Sequence, residues 1–591
     1  MKLLFFCIFT VYTETNYSFQ NSRRRLNDEQ IRNILEDIPS DESLTDTESD
    51  SSNEDITIGD FHQEEEQNLV EGDDSFSEES ENPKKSDWVP KWRKKIYFCN
   101  FLPVFNEYCG PNKEVYDDDR EISPIDIFRD FIDKQILDSI AFQTNLYSTQ
   151  QGKAYKPTNA REIEIFIGIN FLMALKKQPS YRDYWSTDSF YTDYAISNAM
   201  SFNRFSWLLS HIHINDNSTA KPRNDPEFDK LHKVRPFLDH LQNKFKSLYF
   251  PKQHQSIDES MIKFKGRSSI KQYMPMKPIK RGYEVWVRAD DNGYVCEFSV
   301  YTGKNNNKSV EHGLGESVVH SLSDCLASKG YKIYADNFFS SFSLAKSLSE
   351  KGIGYVGTIR KNRKHFPDFL DDKKLKRGDS DYRMDESGVS CVKWMDTKSV
   401  NFVANFHDPS QETCISRKNK DGSTTVLSAP SVAGDYRKFM GGVDKADMLK
   451  SIYEINRKSR RWWLRNFFHF LDVCVVNASI IQKCLKPSEK MTLKDFKKGV
   501  IAGIIASSGI RKRSLQVQDM PSTSTKRQKT RVSVEVRRDK SDHLPHLGGR
   551  MLRCNHCSTK KEPHRTKWVC SVCNVGLCNS TKRNCFTLYH K

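Results

Sequence analysis

Ser256-Ile-Asp-Glu-Ser-Met-Ile-Lys-Phe264 alternates apolar and polar residues, so it reads as a strand with one face toward a core. Two more strands follow: Tyr283–Asp290, rich in Val and Trp, and Val295–Tyr301, which comes after the turn signal Asp290-Asp-Asn-Gly293. Ser309–Ser328 then carries Val310, Leu314, Val318, Val319, Leu322 and Leu326 at helical spacing. Tyr331-Lys-Ile-Tyr-Ala335 reads as a buried strand ending at Asp336, Ser341–Glu350 as a helix, and Gly354–Ile359 as a strand. The predicted order is β-β-β-α-β-α-β, a mixed α/β core over residues 254–362.

Outward from this core the composition changes. Residues 88–253 hold helix-like stretches at Pro124–Gln143 and Asn159–Leu175, and Tyr436–Leu485 is helical again, interrupted at Gly441-Gly442. Asn362 to Gly434 is charged and broken by Gly, Pro and Asp, with short strand candidates at Val389–Trp394 and Asn401–Asn405. It reads as an insertion (363–433) between the first part of the core and a second part at 434–453. Residues 454–507 form a second helical part ending in Leu493–Ser507. Residues 508–542 form a basic Ser/Thr-rich linker with Arg511-Lys-Arg513 and Lys526-Arg-Gln-Lys529, and 543–591 a cysteine-rich module.

The chain has 591 residues and a net charge of +15, very unevenly spread. Leu26 to Pro83 holds 21 acidic residues and one basic residue, Arg32, which leaves 91 basic against 56 acidic, or +35, on the rest. Residues 1–87 are expected to be disordered, because so few apolar groups cannot offset the entropy of folding. A body that basic calls for a polyanion, nucleic acid first, and a 37% apolar composition with no apolar run near 18 residues argues against an integral membrane protein. Lys2 followed by Leu3–Tyr12 has the outline of a secretory signal, but it is too short to span a bilayer. An exported chain would oxidise thiols that the tail is expected to keep for metal, so a nuclear location, with import through the linker's basic clusters, is expected instead.

That tail reads Cys554-x2-Cys557-x12-Cys570-x2-Cys573-x4-Cys578-x6-Cys585-x4-His590. Seven soft ligands are one short of two tetrahedral zinc sites. The eighth is sought among His543, His546 and His564; His546 or His543 is favoured, and His546 is assigned. Interleaved zinc sites also describe protein-binding modules of RING or PHD type, whereas Lys560, Lys561, Arg565, Lys567, Lys582 and Arg583 around the knuckles favour DNA.

Three acids sit where a strand or helix meets a polar cluster: Asp258, Asp336 and Asp444. Carboxylates grouped in this way suit Mg²⁺ or Mn²⁺, and two such ions can activate the attacking oxygen and stabilise the leaving oxygen of a phosphodiester. Asp444 and Asp447, three apart on a helix, share a face and are expected to approach one metal pair; Asp447 also suits a helix N-terminus as a macrodipole partner. Lys271, Lys277, Lys280 and Arg281 surround Pro275 and Pro278 in a loop that can hold phosphates or simply solubilise a hairpin tip. Arg457, Lys458, Arg460, Arg461 and Arg465 surround Trp462 and Trp463; helical spacing turns Trp463 inward and leaves the cations for DNA.

Ser256-Ile-Asp-Glu-Ser-Met-Ile, Lys271-Gln-Tyr-Met-Pro-Met-Lys-Pro-Ile-Lys-Arg-Gly282, Tyr334-Ala-Asp-Asn-Phe-Phe-Ser340, Gly441-Gly-Val-Asp-Lys-Ala-Asp447 and Arg457–Asn477 stand in the order found in the piggyBac transposase family, which this chain resembles from about Trp88 to its end. The resemblance implies an RNase H-like catalytic core with an insertion, flanked by mainly α-helical DNA-binding and dimerisation segments and a small C-terminal double-zinc domain. It implies Asp258, Asp336 and Asp444 as catalytic metal ligands with Asp447 as a further essential acid. It further implies a homodimer that acts on double-stranded DNA at terminal repeats and TTAA targets by nicking, hairpin formation and strand transfer, using Mg²⁺ or Mn²⁺ and two structural zinc ions. The rival expectation is a host-retained DNA-binding descendant that no longer cuts.

Overall fold

The computed structural model describes residues 88–97, 102–116, 121–152, 154–275, 277–303, 313–418, 422–506, 532–539, 542–559 and 561–591. The signal-like start, the acidic arm and the linker clusters at 511–513 and 526–529 lie outside the described residues.

The molecule is organised around a nine-stranded sheet. Its strands are β1 (His254–Lys263), β2 (Gln272–Tyr273), β3 (Arg281–Asp290), β4 (Val295–Val300), β5 (Lys332–Ala335), β6 (Gly354–Thr358), β7 (Ser380–Met384), β8 (Ser390–Met395) and β9 (Ser399–Ala404). They run in the order β2-β3-β1-β5-β6-β9-β8-β7, with β4 also paired to β3. β1 is antiparallel to β3, β3 to β4, while β1, β5 and β6 are mutually parallel. Helices Leu314–Ser323 and Phe342–Glu350 supply the crossovers that parallel strands need, so the predicted β-β-β-α-β-α-β order is observed with one added short strand, Gln272–Tyr273.

Both faces of the sheet are covered, and alternation decides which side chain goes where. Val285, Val287 and Ala289 of β3 enter a core shared with Trp463, Phe467 and Phe470. Trp286 points the other way, into a core with Val319, Leu322, Phe342 and Leu348. The helical segments on either side of the sheet in sequence share the first of these cores: Pro124–Phe131, Ala160–Leu175 and Arg235–Leu248 pack with Trp462–Leu485 and Leu493–Ala506. Trp462–Leu485 is long and apolar enough to cross a membrane, but most of it is buried inside this protein.

Two boundaries differ from the sequence reading. The helical stretch from Pro124 is two helices, Pro124–Phe131 and Lys134–Gln150, because Asp133 caps the second by accepting from the Ile136 amide at 3.0 Å. The expected insertion, 363–433, is not set apart from the core. Its strands β9, β8 and β7 continue the central sheet, β9 pairing with β6 through Phe402↔Thr358, Val403↔Gly357 and Ala404↔Val356. An uncovered β6 would leave a row of unpaired backbone groups, and this meander satisfies them. Only the hairpin Glu412–Lys418 and Thr424–Pro430 stands as its own small sheet, tied back by Trp394 Nε1 donating to the Ser428 carbonyl at 3.0 Å.

Candidate catalytic centre, basic rim and cysteine cluster

The last parallel pair between β1 and β5 is Ile257↔Ala335, so Asp258 and Asp336 are the next residues on adjacent strands. Asp336 leaves the sheet at the carboxyl end of β5, where α/β sheets open a crevice, while Asp258 stays paired with Val287 of β3 just beyond the end of β5. Asp336 is fixed by the turn that follows, its Oδ1 accepting from the Phe338 amide at 2.8 Å. Asp444 comes from the other side, in the first turn of helix Gly442–Ile452. That helix can approach only because position 442 is glycine: a Cβ there would lie 2.5 Å from the Asp290 carbonyl oxygen and 2.5 Å from Ser256 Oγ. Burial pushes the Tyr436 phenol up, its hydrogen bond with Thr358 opposes this, and the charges of Asp336, Asp258 and Asp444 add to it.

The centre is short of positive charge. Burial raises Asp258 well above the usual carboxylate range, and the neighbouring Glu259 and Asp336 carboxylates add to it. Asp336 is raised for the same first reason. Lys277 is the cation beside them, its Nζ 2.6 Å from Glu259 Oε1. Crowded, desolvated carboxyl groups whose ionisation lacks compensation are the donor set that a hard divalent cation completes.

Ser260 Oγ donates to Asp447 Oδ1 at 2.7 Å, and Lys450 Nζ lies 3.1 Å from the same oxygen. Lys450 is itself buried and its Nζ is 3.2 Å from His469 Nδ1. Asp447 therefore ties the helix to β1 two residues beyond Asp258.

The basic candidates separate into two groups. Lys280 and Arg281 are exposed at the hairpin beside the acids, with the Arg281 guanidinium 5.1 Å from the centre of the Tyr273 ring; Lys271 Nζ is 3.1 Å from the Gly266 carbonyl. Lys458 and Arg460 are exposed as well. The expectation that the whole arginine segment is available for DNA is corrected for the other three. Arg465 is buried, donating to the carbonyls of Lys263 (3.1 Å) and Arg457 (2.9 Å), and burial lowers its pKa. Arg457 Nε donates to Asn170 Oδ1 at 3.2 Å, and Arg461 to the Leu209 carbonyl at 3.1 Å. Trp463 is buried, as its spacing implied.

This separation predicts two phenotypes. Arg465→Ala strands several carbonyls in the core and is expected to cost about 3 kcal/mol of stability. Lys458→Ala with Arg460→Ala is expected to leave thermal unfolding unchanged while weakening DNA binding and reducing the salt slope by about 1 per lost phosphate contact. Melting curves and binding isotherms at several salt concentrations distinguish them.

Sequence reasoning passed over the loop after β6. Arg360 Nε donates to Asn337 Oδ1 at 2.9 Å, and Arg363 donates to the carbonyls of Asn337 (2.9 Å) and Phe338 (2.8 Å), which sets both beside Asp336. The run Ile359-Arg-Lys-Asn-Arg-Lys364 carried the signal, but its position next to an acid is a tertiary fact.

In the tail, eight side chains form two four-residue groups, Cys554, Cys557, Cys578, Cys585 and His543, Cys570, Cys573, His590, with the ligand atoms of each within 4.8 Å of one another. The chain alternates between the groups. Cys557 Sγ is 3.8 Å from Cys578 Sγ, and His543 Nδ1 is 3.3 Å from Cys570 Sγ and 3.5 Å from Cys573 Sγ. Tetrahedral zinc with Zn–S near 2.3 Å and Zn–N near 2.0 Å calls for S···S of about 3.8 Å and N···S of about 3.5 Å. The groups fit that ion.

His543 fills the eighth position, and the assignment of His546 is corrected. His546 is exposed on the strand Pro545–Arg553, opposite Val569, while His564 lies 2.6 Å from the Arg583 guanidinium. His543 Nε2 lies 2.7 Å from Asp539 Oδ1, and His590 Nδ1 lies 2.8 Å from the Phe586 carbonyl oxygen. Each ring thus turns its other nitrogen to the cysteines, the arrangement that orients metal-bound histidines. The tail is also not free-standing: Val575, Leu577, Phe586 and Tyr589 share a core with Val532, Val536 and Leu146 of helix Lys134–Gln150.

Residues 123–479 match the family model described as "Transposase IS4". The human PiggyBac transposable element-derived protein 3 is 28% identical over 495 residues, covering 82% of this chain and 79% of that protein. The human PiggyBac transposable element-derived protein 2 is 26% identical over 481 residues, covering 79% and 77%. A piggyBac transposase, solved by cryo-electron microscopy in a synaptic complex with hairpin DNA, superimposes with a TM-score of 0.60 at 22% identity, covering 80% of this chain and 98% of that one.

Proposed function

This chain belongs to the piggyBac-type family of transposases, and on that premise we propose that it is a metal-dependent DNA transposase that cuts at transposon ends and joins them to TTAA targets. The observation that carries the reading is the placement of Asp258 and Asp336 directly after the last parallel pair of two adjacent strands, with the helix that bears Asp444 packed against the first of them at Gly442. The β4-β3-β1-β5-β6 part of the sheet, antiparallel then parallel with two crossover helices, supports an RNase H-like reading of the core. Asp258, Asp336 and Asp444 would hold Mg²⁺ or Mn²⁺, which when bound supplies activation of the attacking oxygen and charge stabilisation at phosphorus.

The chain's own groups do the rest. The rim of Lys280, Arg281, Arg360, Lys458 and Arg460 holds phosphates and sets the scissile strand against the acids. The cysteine-rich tail, with zinc in both groups, grips terminal-repeat DNA through Arg565, Lys567, Lys582 and Arg583, all exposed. A homodimer would bring two transposon ends together, and the linker's basic clusters would direct the chain to the nucleus.

The relatives' description as element-derived proteins gives weight to a second reading, a DNA-binding descendant without cutting activity. The intact acids favour the enzyme. The deciding experiment incubates the full chain with a donor bearing its flanking repeats and TTAA. Mg²⁺- or Mn²⁺-dependent nicking at the ends supports the enzyme; specific end binding with no nicking in either metal supports the alternative.

A further inference from the structure

Lys450 is a buried cation that the reaction above leaves unused. It stands in the last turn of helix Gly442–Ile452 and is 7% exposed. With it lies a cavity of about 20 Å³ between that helix, the sheet and helix Trp462–Leu485, lined mostly by apolar groups such as Val287, Val295, Phe298, Val473 and Val476. An ammonium desolvated in such surroundings is unfavourable unless it is well paired, and a methionine of similar length would fill the place without that penalty. Packing therefore does not explain the lysine.

Its contacts do. Lys450 Nζ lies 3.1 Å from Asp447 Oδ1 and 3.2 Å from Nδ1 of His469, which belongs to helix Trp462–Leu485. Ser260, on β1 two residues after Asp258, donates to the same Asp447 oxygen at 2.7 Å. One carboxylate oxygen is thus gripped from the strand and from the helix, by a hydroxyl and an ammonium that a second helix holds in place. Both contacts fall on Oδ1, and the Asp447 side chain keeps 37% of its surface exposed. A carboxylate fixed through one oxygen by two donors has a single orientation and leaves the other oxygen to act.

We infer that Lys450, braced by His469, is a positioning residue for Asp447: it holds Oδ1 against Ser260, so that the acid is presented in one orientation beside the strand that carries Asp258. This rests on the metal-dependent reading above, with Asp447 as its further essential acid. Lys450 touches neither DNA nor a reacting group, and acts through Asp447 alone.

The test is a double-mutant cycle on the full, zinc-loaded chain with Lys450→Met, Asp447→Asn and the two combined. It is read by Mg²⁺-dependent nicking of end DNA and, with metal removed by EDTA, by end-DNA binding and thermal melting. Lys450→Met is expected to slow nicking about 10–100-fold, the effect of a misplaced catalytic group, while end DNA binds with wild-type affinity. Lys450→Arg, which keeps the charge beside a cavity with room for the larger head group, is expected to recover most of the rate. The melting shifts of Lys450→Met and Asp447→Asn are expected to be non-additive in the double variant, which reads the contact itself with no divalent ion present. Wild-type nicking by Lys450→Met, with a clear loss in Asp447→Asn, makes the lysine a brace of the fold only; it overturns the inference and leaves the metal-dependent reading standing. Additive melting shifts, near wild-type nicking by Asp447→Asn, or a loss of end-DNA affinity that matches the loss of nicking overturn it in the same way. Absence of nicking by the wild type overturns both. Should Lys450→Met fail to fold, His469→Phe carries the test: without the acceptor behind the lysine, nicking must slow while end-DNA binding holds.

Discussion

Asp336→Asn is expected to abolish metal-dependent nicking, a loss of about 10³-fold or more, while end-DNA binding is expected to stay within about twofold of wild type. The substitution is nearly isosteric, and the asparagine oxygen can still accept from the Phe338 amide that fixes the aspartate. The fold therefore has no reason to fail; what is removed is one negative charge from a crevice built to hold cations. Metal activation at phosphorus contributes several kcal/mol, and each 1.4 kcal/mol is tenfold in rate. The basic rim proposed to bind phosphate is untouched. Acid should mimic the mutation in part. Burial raises both Asp258 and Asp336, so their protonated forms persist above the usual carboxylate range and compete with metal. Lowering the pH from about 8 to about 6 therefore raises the metal concentration needed for half-maximal nicking. Near wild-type nicking by Asp336→Asn, or a metal requirement indifferent to pH, would remove these acids from the metal site.

The second large effect is expected in the tail. The full chain should carry two zinc ions, and stripping them should open residues 543–591 to protease, because structural zinc contributes about 10–16 kcal/mol of folding free energy in small modules. His543→Ala and Cys573→Ser each reduce the zinc content to about one per chain by elemental analysis, whereas His546→Ala retains two. The loss should reach beyond the tail, since Val575, Leu577 and Phe586 share a core with Leu146 of helix Lys134–Gln150. Chelation is thus expected to expose that helix to hydrogen exchange as well. A zinc content of zero in the wild type, or an unchanged digestion pattern after chelation, would defeat the two-site reading.

The sequence was legible where local chemistry decides the outcome. Alternation located β1, Val and Trp content located β3, three- and four-residue spacing located helix Trp462–Leu485 and turned Trp463 inward, and the Asp290-Asp-Asn-Gly293 turn marked the β3–β4 hairpin. Such signals rest on the periods of strand and helix, which neighbouring residues impose on one another. The ligand count of the tail was equally plain, because eight tetrahedral positions follow from the metal's valence geometry and not from the fold.

What remained to the tertiary structure were choices among equivalent local signals. His543 and His546 look alike three residues apart; only the Asp539 carboxylate behind one and the solvent around the other separate them. Arg460 and Arg465 belong to one basic run, yet a helix start turns one to water and the other into the core, where carbonyls from Lys263 and Arg457 receive it. Asp447 shares a helix face with Asp444 but meets Ser260 and a buried Lys450. The strands of the 363–433 segment were visible, but their place on the open edge of β6 depends on hydrogen bonds to residues more than forty positions away. In each case the sequence determined what a side chain could do, and long-range packing determined which partner it would meet, because pairing energies depend on burial and distance that no local period encodes.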